Sequence, residues 1–116
     1  MAGLTFDTGA LIAIERRADR MLAVWRKAYL ERMHITVPSV VVVEWWRGQR
    51  GLAGRLLDGV TVEPLRAELA RTAGEALAHV PGASTTDAVV MASAAQRGDI
   101  VYTSDLNDLV RLQLSV

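Results

Sequence analysis

Four acidic residues, Asp7, Glu44, Asp87 and Asp105, are the side chains of this sequence best suited to chemistry. Asp7 and Asp105 each follow a short apolar run, and residues just past the carboxyl ends of parallel strands line the ligand crevice of an open α/β sheet. Acids gathered in one pocket repel each other unless a cation neutralises them, and hard oxygen ligands suit Mg²⁺ or Mn²⁺. The four positions therefore predict an acidic metal site.

Each of these acids also has a structural explanation. Asp7 and Asp105 are good N-cap residues, and Asp87 suits the first turn of a helix, where the macrodipole favours negative charge. Glu44 is harder to explain, because valines precede it and tryptophans follow it, so we expect it to be buried with a partner. The alternative for Glu44 is an exposed position on an otherwise buried element.

Two residues beside the last acid would support such a site. The Thr103 hydroxyl would orient a ligand or a carboxylate, although threonine is also a common strand residue. Asp108 lies one helical turn after Asp105 and is either a further ligand contact or an ordinary helix acid. His34 and His79 are isolated, and the chain has no cysteine, so imidazole clusters and thiolate sites are not expected.

Hydrophobic periodicity predicts alternating strands and helices around these acids. Alternation of this kind predicts a parallel sheet that is covered on both faces. The expected strands are 5–6, 35–37, 60–63 and 100–103, with a last one at 113–116. The expected helices are 10–14 after an Asp7-Thr8 cap, 18–32, 65–80, 88–95 and 105–111, the fourth of them preceded by the Ser84-Thr85-Thr86-Asp87 capping segment and stopped at Gly98.

The segment 38–48 is ambiguous on local grounds. Four consecutive valines followed by two tryptophans favour a strand by propensity. A proline at the first helical turn, together with the length of the segment up to Gly48, favours a helix.

Bulk composition indicates one ordinary globular domain over residues 1–116. The hydrophobic fraction is 51% and the charged fraction 22%, which argues against disorder. No apolar run reaches the roughly 18 residues that a membrane span needs, and the N-terminus does not resemble a signal peptide. The lack of cysteine fits a reducing cytoplasm.

Charge is unevenly distributed along a chain whose net charge is zero. Residues 1–55 carry a net charge of +4 and residues 56–116 a net charge of −4. Twelve of the thirteen basic residues are arginine, which binds phosphate well. Arg16, Arg17 and Arg20 are therefore candidates for contacting an anionic partner, the alternative being a solvated surface.

The segments around the four acids resemble those of PIN-domain ribonucleases, and among these the small VapC-type toxins of toxin–antitoxin pairs. The resemblance implies a three-layer α/β/α sandwich with a mainly parallel sheet, and it implies a helix for the ambiguous segment. Gly9 departs from the family pattern, where serine is frequent, so its hydroxyl contact is either absent or supplied by Thr8. The segments that carry the resemblance are 6–13, 38–44, 86–88 and 103–108.

The resemblance also implies an activity, an endoribonuclease that depends on Mg²⁺ or Mn²⁺. Asp7, Asp87 and Asp105 would be the main metal ligands, and Glu44 would hold a second ion or orient the attacking water. The implied partners are RNA, a cognate antitoxin and a second copy of the chain, with the second helix and Trp45-Trp46 as contact surfaces. Rival interpretations are a DNA nuclease, another Mg²⁺-dependent phosphoryl enzyme, and a silent module that docks a basic side chain.

Overall fold

The computed structural model describes residues 3–103 of the chain. Four short strands alternate with six helices in this part. The strands are β1 (Leu4–Phe6), β2 (Ile35–Pro38), β3 (Thr61–Glu63) and β4 (Ile100–Tyr102). The helices are α1 (Thr8–Glu15), α2 (Asp19–Leu30), α3 (Ser39–Trp45), α4 (Gly51–Gly54), α5 (Ala67–His79) and α6 (Thr85–Arg97), and a 3₁₀ turn covers Leu56–Gly59.

The strands form one parallel sheet in the order β3-β2-β1-β4. β1 is central, since Leu4 pairs with Ile35 of β2 on one side and with Ile100 of β4 on the other. Helices flank this sheet, which confirms the predicted α/β sandwich with a parallel sheet.

Adjacent residues of β1 show how the two faces are covered. The Phe6 ring meets Trp25 of α2 at a centroid distance of 6.4 Å, so α2 covers the face to which Phe6 points. Thr5 points to the opposite face, where its hydroxyl oxygen accepts a hydrogen bond from Arg97 at the end of α6. Because side chains alternate along a strand, β1 contributes to both layers of the core.

Most of the predicted elements are confirmed within the described residues. The ambiguous segment is a helix, α3, whose Val41 and Trp45 are buried one turn apart. Trp45 therefore belongs to the core, so its prediction as a partner contact is wrong, whereas Trp46 is partly exposed. The sequence did not predict α4 or the 3₁₀ turn. The predicted helix 105–111 and strand 113–116 lie outside the described residues.

Local capping explains where α6 begins and ends. The Ser84 hydroxyl accepts a hydrogen bond from the backbone N–H of Asp87 at 3.0 Å, as the capping-box spacing predicts. Gly98 ends the helix in the left-handed region with φ 68°, where glycine has no steric penalty. Between these caps residues 88–94 are all buried, in agreement with the apolar sequence. None of the helices in the described part is long and apolar enough to span a membrane.

A polar network centred on Arg97 joins α6 to three strands. Its guanidinium donates to Glu63 at 2.7 Å, to Asp99 at 3.0 Å, and to the hydroxyls of Thr5 and Ser93 at 2.9 Å each. The side chain of Asp99 is only 4% exposed. Charge-assisted hydrogen bonds of this kind are about twice as strong as neutral ones, and a buried carboxylate left without its partner is strongly destabilising.

We expect Arg97→Met to lower the free energy of unfolding by about 3 kcal/mol, because it leaves Asp99 and Glu63 without their cation. Urea denaturation followed by circular dichroism measures this change. The matched control is Arg71→Met on the exposed surface of α5, for which we expect a change within about 0.5 kcal/mol. Equal stabilities of the two variants would contradict a stabilising role for the network.

Candidate functional site

The strand order creates a crevice between β1 and β4. From β1 the chain adds β2 and β3 on one side and then β4 on the other, so the direction of winding reverses between β1 and β4. Ligands bind at such a switch point, outside the carboxyl ends of the strands. Asp7 follows β1 and Thr103 follows β4 at this place, and the Asp7 N–H donates to the Tyr102 carbonyl at 3.3 Å.

Asp7 is a buried carboxylate, 4% exposed, at the mouth of this crevice. It is the N-cap of α1, where Oδ1 accepts a hydrogen bond from the Ala10 N–H at 2.8 Å. The cap holds the carboxylate in place, and the positive end of the helix dipole favours its negative charge. The structural and the chemical explanation of Asp7 are therefore compatible.

Glu44 is exposed, so the expectation that it is buried is wrong. The valines and tryptophans around it do not all face the core: Val41 and Trp45 are buried, whereas Val43 is 73% exposed. Glu44 does have a partner, because the Thr8 hydroxyl donates to its Oε1 at 2.6 Å. Thr8 is the first residue of α1 and is adjacent to Asp7, so this bond brings Glu44 to the same edge of the sheet.

Asp87 is half-buried in the first turn of α6. The other end of α6 leads through Gly98 into β4, and its Arg97 bonds to Asp99, the residue immediately before β4. Since α6 thus runs back along the sheet, its first turn lies toward the carboxyl ends of the strands. The structure places Asp87 at the end of the molecule where Asp7 lies.

The predicted basic residues divide into two groups. Arg20 lines a cavity together with Gly9, Ala10 and Thr103, so it lies beside the crevice. Arg16 and Arg17 are exposed at the opposite end of α1, about 12 Å from its first turn by the rise of an eight-residue helix. Asp105 and Asp108 lie outside the described residues.

The polar side chains placed at this edge of the sheet suit a hard divalent cation, because they supply carboxylate and hydroxyl oxygens. Within residues 3–103, however, no three acidic or histidine side chains are close enough together to hold a metal ion. The described acids therefore do not form a complete ligand set by themselves, and the predicted set also includes Asp105.

Three charged residues with structural importance were not singled out from the sequence: Glu63, Arg97 and Asp99. Their signal is weak, because each lies near the end of an element, where charged residues are common. Asp99 offers the best clue, since an acid between the helix stop Gly98 and a strand has to find a partner once that strand is paired.

Comparison with known proteins gives one family. The family model described as PIN domain matches residues 4–113, which includes all four acids. None of the curated proteins matches the chain.

We expect Asp7→Asn to leave the free energy of unfolding within about 0.5 kcal/mol, because asparagine also caps helices and carries no charge to repel the other acids. Asp7→Ala removes the cap acceptor and should lower that free energy by about 1 kcal/mol. Urea denaturation in EDTA compares the two variants. A large loss of stability in Asp7→Asn would contradict the separation of the capping role from the charge.

Proposed function

This chain belongs to the PIN domain family, whose members are generally nucleases, and from that premise we propose that it is a Mg²⁺- or Mn²⁺-dependent endoribonuclease. The observation that carries the proposal is the meeting of the buried Asp7 carboxylate, the Thr8–Glu44 pair and Thr103 at the switch point of the sheet. This is where an open α/β sheet binds its ligand, and acidic oxygens there suit a metal-assisted hydrolysis of phosphodiesters.

A divalent cation, when bound, activates water near neutral pH and offsets the charge that builds on the phosphoryl oxygens. Asp7, Asp87 and Asp105 would hold it, with the α1 cap fixing the orientation of Asp7. Glu44 would orient the attacking water or hold a second ion, and the Thr8 hydroxyl positions Glu44 for that role. Thr103 would orient a ligand from the end of β4, and Asp108 would add a further acid.

Substrate binding would involve Arg20, because it lines the cavity beside the crevice. A phosphate held there would place the neighbouring phosphodiester toward Asp7. Arg16 and Arg17 would contact phosphates farther along the strand. Ribonuclease rather than deoxyribonuclease activity is supported by the resemblance of the acidic segments to those of VapC-type toxins.

The same resemblance leads us to propose that the protein is the toxin of a toxin–antitoxin pair, bound by an antitoxin and paired with a second copy of itself. Large exposed apolar side chains support the existence of partner surfaces. Tyr29 and Leu30 of α2 are 79% and 70% exposed, and Trp46 and Leu52 are exposed beyond α3 and in α4.

We expect wild-type protein to cleave a mixed tRNA and rRNA pool with Mn²⁺ or Mg²⁺, and we expect Asp7→Asn to reduce cleavage to the level of an EDTA control. The physical reason is the loss of one anionic ligand at an otherwise preserved cap. Gel electrophoresis of the pool, with circular dichroism of both proteins, makes the measurement. Cleavage retained in folded Asp7→Asn would refute the assignment.

Two controls separate the rival functions. Single-stranded and duplex DNA run beside the RNA pool identify a deoxyribonuclease by selective cutting of DNA. Calorimetry with Mn²⁺ identifies a silent docking module, which would show neither cleavage nor binding at millimolar metal.

We expect Arg20→Gln to weaken RNA binding and to reduce the slope of log Kobs against log salt concentration by about 0.7, the value for one phosphate contact with a single strand. Filter binding at several salt concentrations measures this, with Asp7→Asn present in all proteins to prevent cleavage. Arg71→Gln on α5 is the matched control and should leave the slope unchanged. An unchanged slope in Arg20→Gln would remove Arg20 from the RNA surface.

A further inference from the structure

We propose that Arg97 is a positioning residue, which fixes α6 on the sheet and thereby sets where Asp87 lies relative to Asp7. It does not touch the crevice, because it lies ten residues after Asp87, about 15 Å along the helix. Its effect on the site would therefore be transmitted through α6 as a rigid body. The inference rests on the proposed function, in which Asp87 is a metal ligand.

The geometry of Arg97 ties one helix to three strands at once. It donates to Thr5 of β1 at 2.9 Å, to Glu63 of β3 at 2.7 Å and to Asp99, immediately before β4, at 3.0 Å. Ser93, one turn earlier on α6, accepts from the same guanidinium at 2.9 Å and donates to the other oxygen of Glu63 at 2.5 Å.

One of these acceptors, Asp99, is itself bonded to β1. Asp99 accepts hydrogen bonds from the Thr5 hydroxyl at 2.8 Å and from the Gly3 N–H at 3.1 Å. Glycine is needed at position 3, since a Cβ there would lie 2.7 Å from the His34 carbonyl oxygen. Arg97 therefore binds groups that are held on β1, the strand that immediately precedes Asp7.

The rest of the α6 interface has little directional character. Its buried side chains are mainly small and apolar, and the hydrophobic effect that buries them has no directional preference. Packed helices shift by about 1–2 Å in conformational changes, whereas a functional site has to be held within about 0.5 Å. The Arg97 network supplies directional bonds that a face of alanine and valine lacks.

The test measures two quantities in each protein: its affinity for Mn²⁺, and the protection of the first turn of α6 against amide hydrogen exchange. Four EDTA-treated proteins are used: wild type, Arg97→Met, Arg97→Lys, and Leu56→Ala, a variant of a buried residue in the 3₁₀ turn. Mn²⁺ affinity is measured by calorimetry at a temperature where all four are folded. Amide hydrogen exchange of peptides covering residues 84–90 is measured on the metal-free proteins.

We expect Arg97→Met to weaken Mn²⁺ binding about tenfold, the lower limit for loss of a group that bonds a metal ligand directly, and to accelerate amide exchange in the first turn of α6. Arg97→Lys should fall between it and wild type, because an ammonium group replaces only part of the fork of donors. Leu56→Ala should lower stability, because it leaves a cavity in the core, but it should keep Mn²⁺ affinity within about twofold.

Two results would overturn the inference. One is an unchanged Mn²⁺ affinity in Arg97→Met, and the other is an equal loss of affinity in Leu56→Ala, which would indicate general loosening. Absence of Mn²⁺ binding in wild type would instead contradict the metal dependence in the proposed function. In that event the exchange data decide, and unchanged protection of residues 84–90 in Arg97→Met refutes positioning.

Discussion

The parallel pairing of β1 with both of its neighbours is the constraint on which the rest of the molecule depends. β1 has only three residues, yet it pairs with β2 and β4 and sends side chains into both layers of the core. Its central place creates the switch point, because the chain has to cross to its other side to add β4. The crevice and the position of Asp7 both follow from this crossing.

Acidic side chains are held in two different ways along the sheet. At the carboxyl ends of the strands, Asp7 is fixed by a backbone N–H and Glu44 by a hydroxyl, which hold these acids without neutralising them. Near the other end, Asp99 is neutralised by Arg97 and is almost fully enclosed. A carboxylate held by a neutral donor keeps its charge for a cation, whereas the charge of Asp99 is balanced by Arg97 and supports the fold.

Much of the fold could be predicted from the sequence, because local sequence patterns determine where its helices begin and end. The Ser84 cap, the Gly98 stop and the apolar stretch between them predicted α6 correctly, and the cap at Asp7 predicted α1. Segment 38–48 could not be resolved locally, because valine propensity and helix-start chemistry gave opposite answers. There the resemblance gave the correct helix, and tertiary packing of Val41 and Trp45 provides the physical reason.

For the candidate site, the sequence predicted which residues take part better than it predicted their burial and contacts. Asp7 and Thr103 follow neighbouring strands, as the strand order requires, but the exposure of Glu44 depends on which face of α3 meets the core. The sequence could not show this, since apolar residues surround Glu44 on both sides. The Arg97 network was also missed, because its partners are up to 94 residues apart along the chain and no local pattern joins them.

The distance in sequence between β1 and β4 also bears on how the protein is made. Leu4 pairs with Ile100, so β1 gains its second neighbour only after the chain has been translated as far as β4. Contacts of such long range carry a large loop-closure entropy and form slowly. The crevice between β1 and β4 therefore cannot exist before β4 has been synthesised, and Asp7 gains its place beside β4 only when that strand has paired with β1.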